Sequence, residues 1–127
     1  MSRSNAREAV FKLVFEYVFN LEENNELLLE SVESMKEEEA YIREVYRGVI
    51  SNYDELCGII SHSAVGFSFD RIFKVDLAIL LVALYEIKYM NGIPNKVSIN
   101  EALNLAKAYS TEKSSKFING ILASVVK

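Results

Sequence analysis

Residues 74–90 read KVDLAILLVALYEIKYM, and the nine from Leu77 to Tyr85 carry no charge. That run falls well short of the ~20 residues a bilayer span needs. As a helix it is apolar almost all the way round, and such a helix has no face to give to water. The stretch therefore predicts a helix from about Lys74 to Met90, the buried hub of the C-terminal half. Its end is marked by Asn91-Gly92-Ile93-Pro94, with glycine just past the helix and proline beyond.

Downstream, Ser98-Ile99-Asn100-Glu101 has capping-box spacing and predicts a helix to about Tyr109. A last helix is expected from about Ser114 to Val126, with Phe117, Ile118, Ile121, Leu122 and Val125 inward. Upstream, Ser61 to Asp70 reads as a connector containing Gly66 and a short turn. Glu37 to about Ser61 predicts one long helix, because Tyr41, Ile42, Val45, Val49, Leu56 and Ile60 recur mostly three, four or seven apart. Asn25 to Met35 predicts a shorter helix with Leu27, Leu28 and Val32 inward. The first helix is expected to start near Asn5, with Asn5 as cap. Its polar face is Glu8, Lys12, Glu16 and Asn20. Its apolar arc, with Val10, Leu13 and Val14 on one side and Phe11, Phe15 and Phe19 on another, suits a helix lodged between two sub-bundles. Val97-Ser98-Ile99 is too short to count as a strand. One proline and five glycines in 127 residues fit this helix-rich reading. The expected class is all-α, a single domain of six to seven helices in two packed sub-bundles, about 1–65 and about 66–127.

Net charge is −4, which taken alone argues against a nucleic-acid partner. The distribution is uneven. Asn20 to Glu44 holds nine acidic residues against Lys36 and Arg43, whereas both ends are mildly basic. Arg3, Arg7 and Lys12 stand near the start, and Lys107, Lys113, Lys116 and Lys127 near the end. If the ends meet, they form a modest positive patch. So few cations imply weak, salt-sensitive RNA binding unless a partner adds contacts. The single cysteine, Cys57, forms no internal disulfide and suits a reducing compartment. The first ten residues carry Arg3, Arg7 and Glu8 and show no secretory apolar segment.

Few residues suggest chemistry. Cys57 and His62 are five apart with no orienting third group, so neither a zinc site nor a nucleophile is expected. Glu37-Glu38-Glu39 diverge around a helix and read as a solvated turn. Asp76 and Glu86, ten apart on one helix, are no catalytic pair, and Asp76 suits the helix dipole at its start. Binding is more legible. Arg7, with Arg3 beside it in a flexible tail, reads either as a phosphate contact or as a solvated surface arginine. Lys113, Ser114 and Lys116 cluster where a helix N-terminus attracts phosphate, although Ser114 also reads as a simple cap. Phe117 is either a core residue or a platform for an unpaired base. Asn100 is read as structural, Asn119 as facing the site, and Gly120 as permitting close helix packing.

Several of these segments resemble one family. Asp76-Leu77-Ala78-Ile79-Leu80 with Ala83-Leu84-Tyr85-Glu86-Ile87 resembles the NusB pattern of an acidic residue, an apolar helix and a Tyr-Glu-Leu end. Pro94-x-x-Val97-x-Ile99-Asn100-Glu101-Ala102 and Leu105-Ala106-Lys107 resemble its most characteristic segment. Ser114-x-Lys116-Phe117-Ile118-Asn119-Gly120-Ile121-Leu122 resembles the segment that follows, and Ala6-Arg7-Glu8-Ala9 the N-terminal helix. Lys113 stands where the family often has an acidic residue, and Phe67 where it often has tryptophan.

The resemblance implies a NusB-like fold of two three-helix sub-bundles plus one helix, and a cytoplasmic scaffold without enzymatic activity or cofactor. It implies binding of a boxA-type RNA leader together with NusE, a ribosomal protein of the small subunit. It further implies joining an RNA polymerase antitermination complex on ribosomal RNA operons, with no membrane partner. The RNA contacts implied are Arg3, Arg7, Lys113, Ser114, Lys116, Phe117 and Asn119, with Asp76 and Glu86 toward NusE. Two rival readings stand beside it. One is a helical protein-interaction module that does not touch RNA, favoured by the acidic middle segment. The other is the RNA-targeting domain of a ribosomal-RNA methyltransferase, which would need a catalytic extension beyond Lys127 and ranks lower.

Overall fold

The structure is a computed structural model that describes residues 3–127. Within them the chain forms seven helices and no strand: α1 (Arg3–Asn20), α2 (Asn25–Ser34), α3 (Glu39–Ser51), α4 (Tyr53–Ser63), α5 (Lys74–Tyr89), α6 (Asn95–Tyr109) and α7 (Glu112–Val125). Single 3-10 turns at Lys36–Glu38 and Phe69–Arg71 lead into α3 and toward α5. No helix among the described residues is long and apolar enough to cross a membrane.

Every residue from Asp76 to Glu86 is buried. α5 packs against α1, α3, α4, α6 and α7, which makes it the hub of the whole molecule and not of the C-terminal half alone. α1 lies across α5 and also touches α3 and α2. The Arg7 end of α1 meets Glu86 and the Phe19 end meets Lys74, so α1 runs antiparallel to α5. α3 comes close to α5 at Gly48, where a Cβ would stand 2.2 Å from Cε1 of Tyr85. Gly120, expected to permit close packing, is exposed with nothing within 4 Å of a built Cβ.

The predicted long helix from Glu37 to Ser61 is two helices, with the break at Asn52. Val49 and Leu56, both buried, are seven apart, so the apolar period runs through the break and hides it. Asn52 makes the break by donating Nδ2–H to the Gly48 carbonyl at 2.8 Å, the local competition that makes asparagine a poor helix interior.

Three expected caps move. Asn5 lies inside α1. α6 begins at Asn95 with Pro94 at its N-cap, and Ser98 is a buried residue of the first turns. The Pro94 carbonyl accepts from Val97 N–H at 2.9 Å, so helix geometry starts before the expected box. α7 is capped by Thr111, whose Oγ1 accepts from Ser114 N–H at 3.1 Å, so Ser114 is not the cap. α2 has the cap its sequence suits: Asn24 Oδ1 accepts from Leu27 N–H at 3.0 Å.

Candidate nucleic-acid interface

Two polar clusters sit on α5, one near each end. Their anchors, Asp76 and Glu86, are ten residues apart, about 15 Å along the helix.

The Glu86 cluster is internal. Glu86 is 0% exposed. One of its oxygens accepts from Arg7 Nε at 2.7 Å and from the Tyr41 hydroxyl, and the other accepts from Ser98 Oγ at 2.6 Å. Arg7 also lies 3.9 Å from Glu101, which in turn accepts from Ser4. Four helices are tied together at one buried ion pair. Burial works against the Arg7 cation, but the hydrogen bond and charge of Glu86 outweigh it and the pKa is raised. Burial first, and the Glu86 charge second, push the Tyr41 hydroxyl far up, so it remains a donor.

This corrects three expectations. Arg7 is neither an open phosphate contact nor a solvated arginine; it is 4% exposed and its guanidinium is committed to Glu86. Glu86 is not on a surface that a partner can reach in this conformation. Arg3 is helical, pairs with Glu38 at 2.7 Å and lies 4.4 Å from the Tyr41 ring centroid. Arg3 and Arg7 are thus engaged with Glu38 and Glu86, whereas Lys12, from the same end of the chain, reaches the C-terminal segment over the Tyr109 ring.

The Asp76 cluster opens outward. Asp76 accepts from Ser110 Oγ at 2.7 Å and from Ser114 Oγ at 2.6 Å, which fixes the turn between α6 and α7. Asp76 and Ser114 are buried beneath the surface, yet both line a slot that opens beside them. The slot has a volume of about 210 Å³. Its walls are Phe67, Phe73 and Phe117, with Phe67 and Phe117 in ring contact at 4.9 Å. Arg71 and Lys113, both exposed, line it as well. Lys116 and Asn119 are exposed on the same helix as Phe117.

The slot follows from the connector. Gly66, at φ +75°, turns the chain, and Phe67 N–H bonds the Ala64 carbonyl at 3.1 Å. Ile72 and Phe73 are then extended, so successive side chains point opposite ways. Ile72 enters the core while Phe73 is left 60% exposed. Phe67, Arg71 and Phe73 are site residues that the sequence reading does not nominate. The signal for them is present in FSFDRIFK (residues 67–74), where three aromatics and two cations fall within eight residues of a connector.

A second line of rings extends along α1. Phe11, Phe15 and Phe19 contact in series at 6.2 and 5.0 Å, growing more exposed toward Phe19, where the Lys74 amine lies 5.5 Å from the ring. Tyr109 meets Phe11 in a tilted contact at 5.1 Å, with Lys12 over its face.

Nothing in the fold activates Cys57. Burial is the main cause that pushes its thiol up to about 11, the opposite of what a nucleophilic cysteine needs. His62 is exposed.

A sequence profile of the NusB family matches residues 4–127. The chain is 40% identical over 127 residues to the transcription antitermination protein NusB of Listeria monocytogenes serotype 4a (strain HCC23), covering 98% of this chain and 96% of that one. Among solved structures, T. maritima NusB matches with a TM-score of 0.89 at 34% identity, over 98% of this chain and 90% of that one. A crystal structure of the antitermination factors NusB and NusE in complex with dsRNA matches with a TM-score of 0.84, over 97% and 94% of the two chains. Its identity is 24%, so that likeness is one of fold.

Proposed function

The chain belongs to the NusB family, and on that footing we propose that it is a transcription antitermination factor. It binds boxA-type leader RNA together with NusE, acts in the cytoplasm within an RNA polymerase antitermination complex, and serves ribosomal RNA operons. It works by scaffolding and performs no covalent step. The relatives' names support the antitermination role, and the solved NusB–NusE complex with dsRNA supports the choice of partners.

The observation that carries the RNA reading is the aromatic slot beside the start of α7. Exposed aromatics give unpaired bases a stacking platform. Arg71, Lys113 and Lys116 stand nearby for phosphates, with Asn119 beside them on α7. Arg7, Glu86, Asp76 and Ser114 contribute by holding α1, α5, α6 and α7 in place, and Arg3 contributes at the N-terminal edge.

The test is fluorescence anisotropy of a boxA-type RNA with and without NusE. Binding should be weak alone and tight with NusE. Three cations, each releasing ~0.7 counterion per single-strand phosphate, predict a log–log salt slope of about −2 for this chain's own share. Absence of binding with NusE present would remove the RNA reading. The second reading, a protein-interaction module without RNA contact, is favoured by the exposed acidic residues of α2 and α3 and by the engagement of Arg3 and Arg7 in ion pairs. It predicts complex assembly with almost no salt slope.

A further inference from the structure

Asp76 is only 3% exposed, yet no Lys or Arg among the described residues forms an ion pair with it. Buried carboxylates are almost always paired. Here two serine hydroxyls occupy one lone pair on each oxygen. A carboxylate offers about four such sites, so one on each oxygen remains. Asp76 also lines the slot, together with the three phenylalanines and the exposed Arg71 and Lys113. The slot is thus lined by three aromatic rings and by a carboxylate with an acceptor site left on each oxygen. At about 210 Å³ the cavity is smaller than the ~300–1,000 Å³ typical of drug-sized sites and suits one planar heterocycle.

We propose that this slot is a subsite for a single unpaired guanine, whose N1–H and exocyclic amine donate to the two oxygens of Asp76. The proposal rests on the RNA-binding reading above and adds a base identity to it. Of the four RNA bases, only guanine presents two adjacent donors on its Watson–Crick edge. Adenine and cytosine set a ring-nitrogen acceptor beside their amine, and uracil flanks its one N–H with two carbonyls; each places an acceptor against the carboxylate. Phe67, Phe73 and Phe117 hold the base by its faces, as aromatic side chains do in single-strand recognition. Lys113 and Arg71 meet the adjoining phosphates and offset the charge of Asp76.

The experiment uses labelled hexauridylates carrying one central guanosine, inosine, adenosine, cytidine or uridine, titrated against the full chain alone and with NusE. A bidentate pair discriminates between bases by on the order of tenfold to a hundredfold. Guanosine is expected to bind at least tenfold tighter than uridine. Inosine, which lacks the exocyclic amine, should lose most of that advantage. Asp76→Asn, which replaces one acceptor by a donor, should bring the guanosine-to-uridine ratio toward one. A purely structural Asp76 would weaken all five oligomers alike. Should Asp76→Asn fail to fold, the guanosine–inosine comparison on the native chain decides. The exposed Phe73→Ala should lower affinity for every oligomer, guanosine most. Equal binding of all five oligomers, or a guanosine preference that survives Asp76→Asn, overturns the proposal while leaving RNA binding standing. Failure of every oligomer to bind, with NusE present, overturns both.

Discussion

Glu86→Gln keeps the size and shape of the side chain, so it opens no cavity and isolates the polar effect. Glu86 accepts from three donors, Arg7, Tyr41 and Ser98. Glutamine keeps one acceptor oxygen and presents an amide N–H₂ to a donor that had been satisfied. More seriously, it leaves the Arg7 cation, 4% exposed, with only the more distant Glu101, at 3.9 Å, as a counter-charge. Removing one partner of a buried ion pair costs about 3–5 kcal/mol, a large part of the ~5–15 kcal/mol that holds a domain together. Between the shifts typical of smaller and larger domains, that is a fall in Tm of roughly 10–20 °C. Urea unfolding should show the loss as a lower midpoint at unchanged m-value. The companion change is Arg7→Met with Glu86→Leu, which removes both charges. Apolar replacement of a whole buried pair is often neutral or better, so the double variant should be more stable than Glu86→Gln alone. A Glu86→Gln loss under about 1 kcal/mol, the scale of an exposed pair, would show that the pair does not stabilise the fold as a buried one, as would a double variant less stable than Glu86→Gln.

Gly48→Ala puts a methyl group into the Tyr85 ring and should cost about 1–3 kcal/mol as overpacking. Gly120→Ala fills open space on an exposed helical surface and should gain about 0.5–1 kcal/mol; equal urea midpoints for the two variants would contradict both. Stability should fall as pH rises above about 9. The folded Cys57 thiol ionises at about 11 against an ordinary 9.0, so between those values only the unfolded chain loses the proton and rising pH favours unfolding. The effect is on the order of 2 kcal/mol. Buried tyrosines add to it above pH 10, where their raised pKa values act in the same direction. Cys57→Ala should flatten the pH 9–10 part of the urea-midpoint profile, and an unchanged profile would assign the loss elsewhere.

The central helix is legible because its length and continuous apolarity admit one solution, and the chain punctuates its end with glycine and proline. The α3–α4 break is hidden because Asn52 interrupts the backbone without interrupting the apolar period. The serines mislead in one consistent way. Ser98 and Ser114 each stand at a plausible cap position, but each instead supplies a hydroxyl to a buried carboxylate, Glu86 or Asp76. Only the tertiary structure reveals that carboxylate. Arg7 shares a helical face with Val10, Phe11, Val14 and Val18, all buried, at spacings of three, four, seven and eleven. A charged residue on such a face needs an opposite charge opposite it, and Glu86 at the end of an otherwise apolar helix is the matching clue. The slot was not legible as a unit, because Phe67 and Arg71 come from a connector, Phe73 from the edge of α5, and Phe117 from α7.

If RNA is held at the slot end of α5 and α7 and not at the buried Arg7 end, the double charge reversal Lys113→Glu, Lys116→Glu should show it, titrated with a boxA-type RNA and NusE over a range of salt. Both side chains are exposed, so the melting temperature should stay within a few degrees. Affinity should fall by at least about tenfold at moderate salt, and the log–log slope should flatten by about 1.4, two contacts at ~0.7 each. Unchanged affinity and slope in the folded variant would place the RNA elsewhere on the protein.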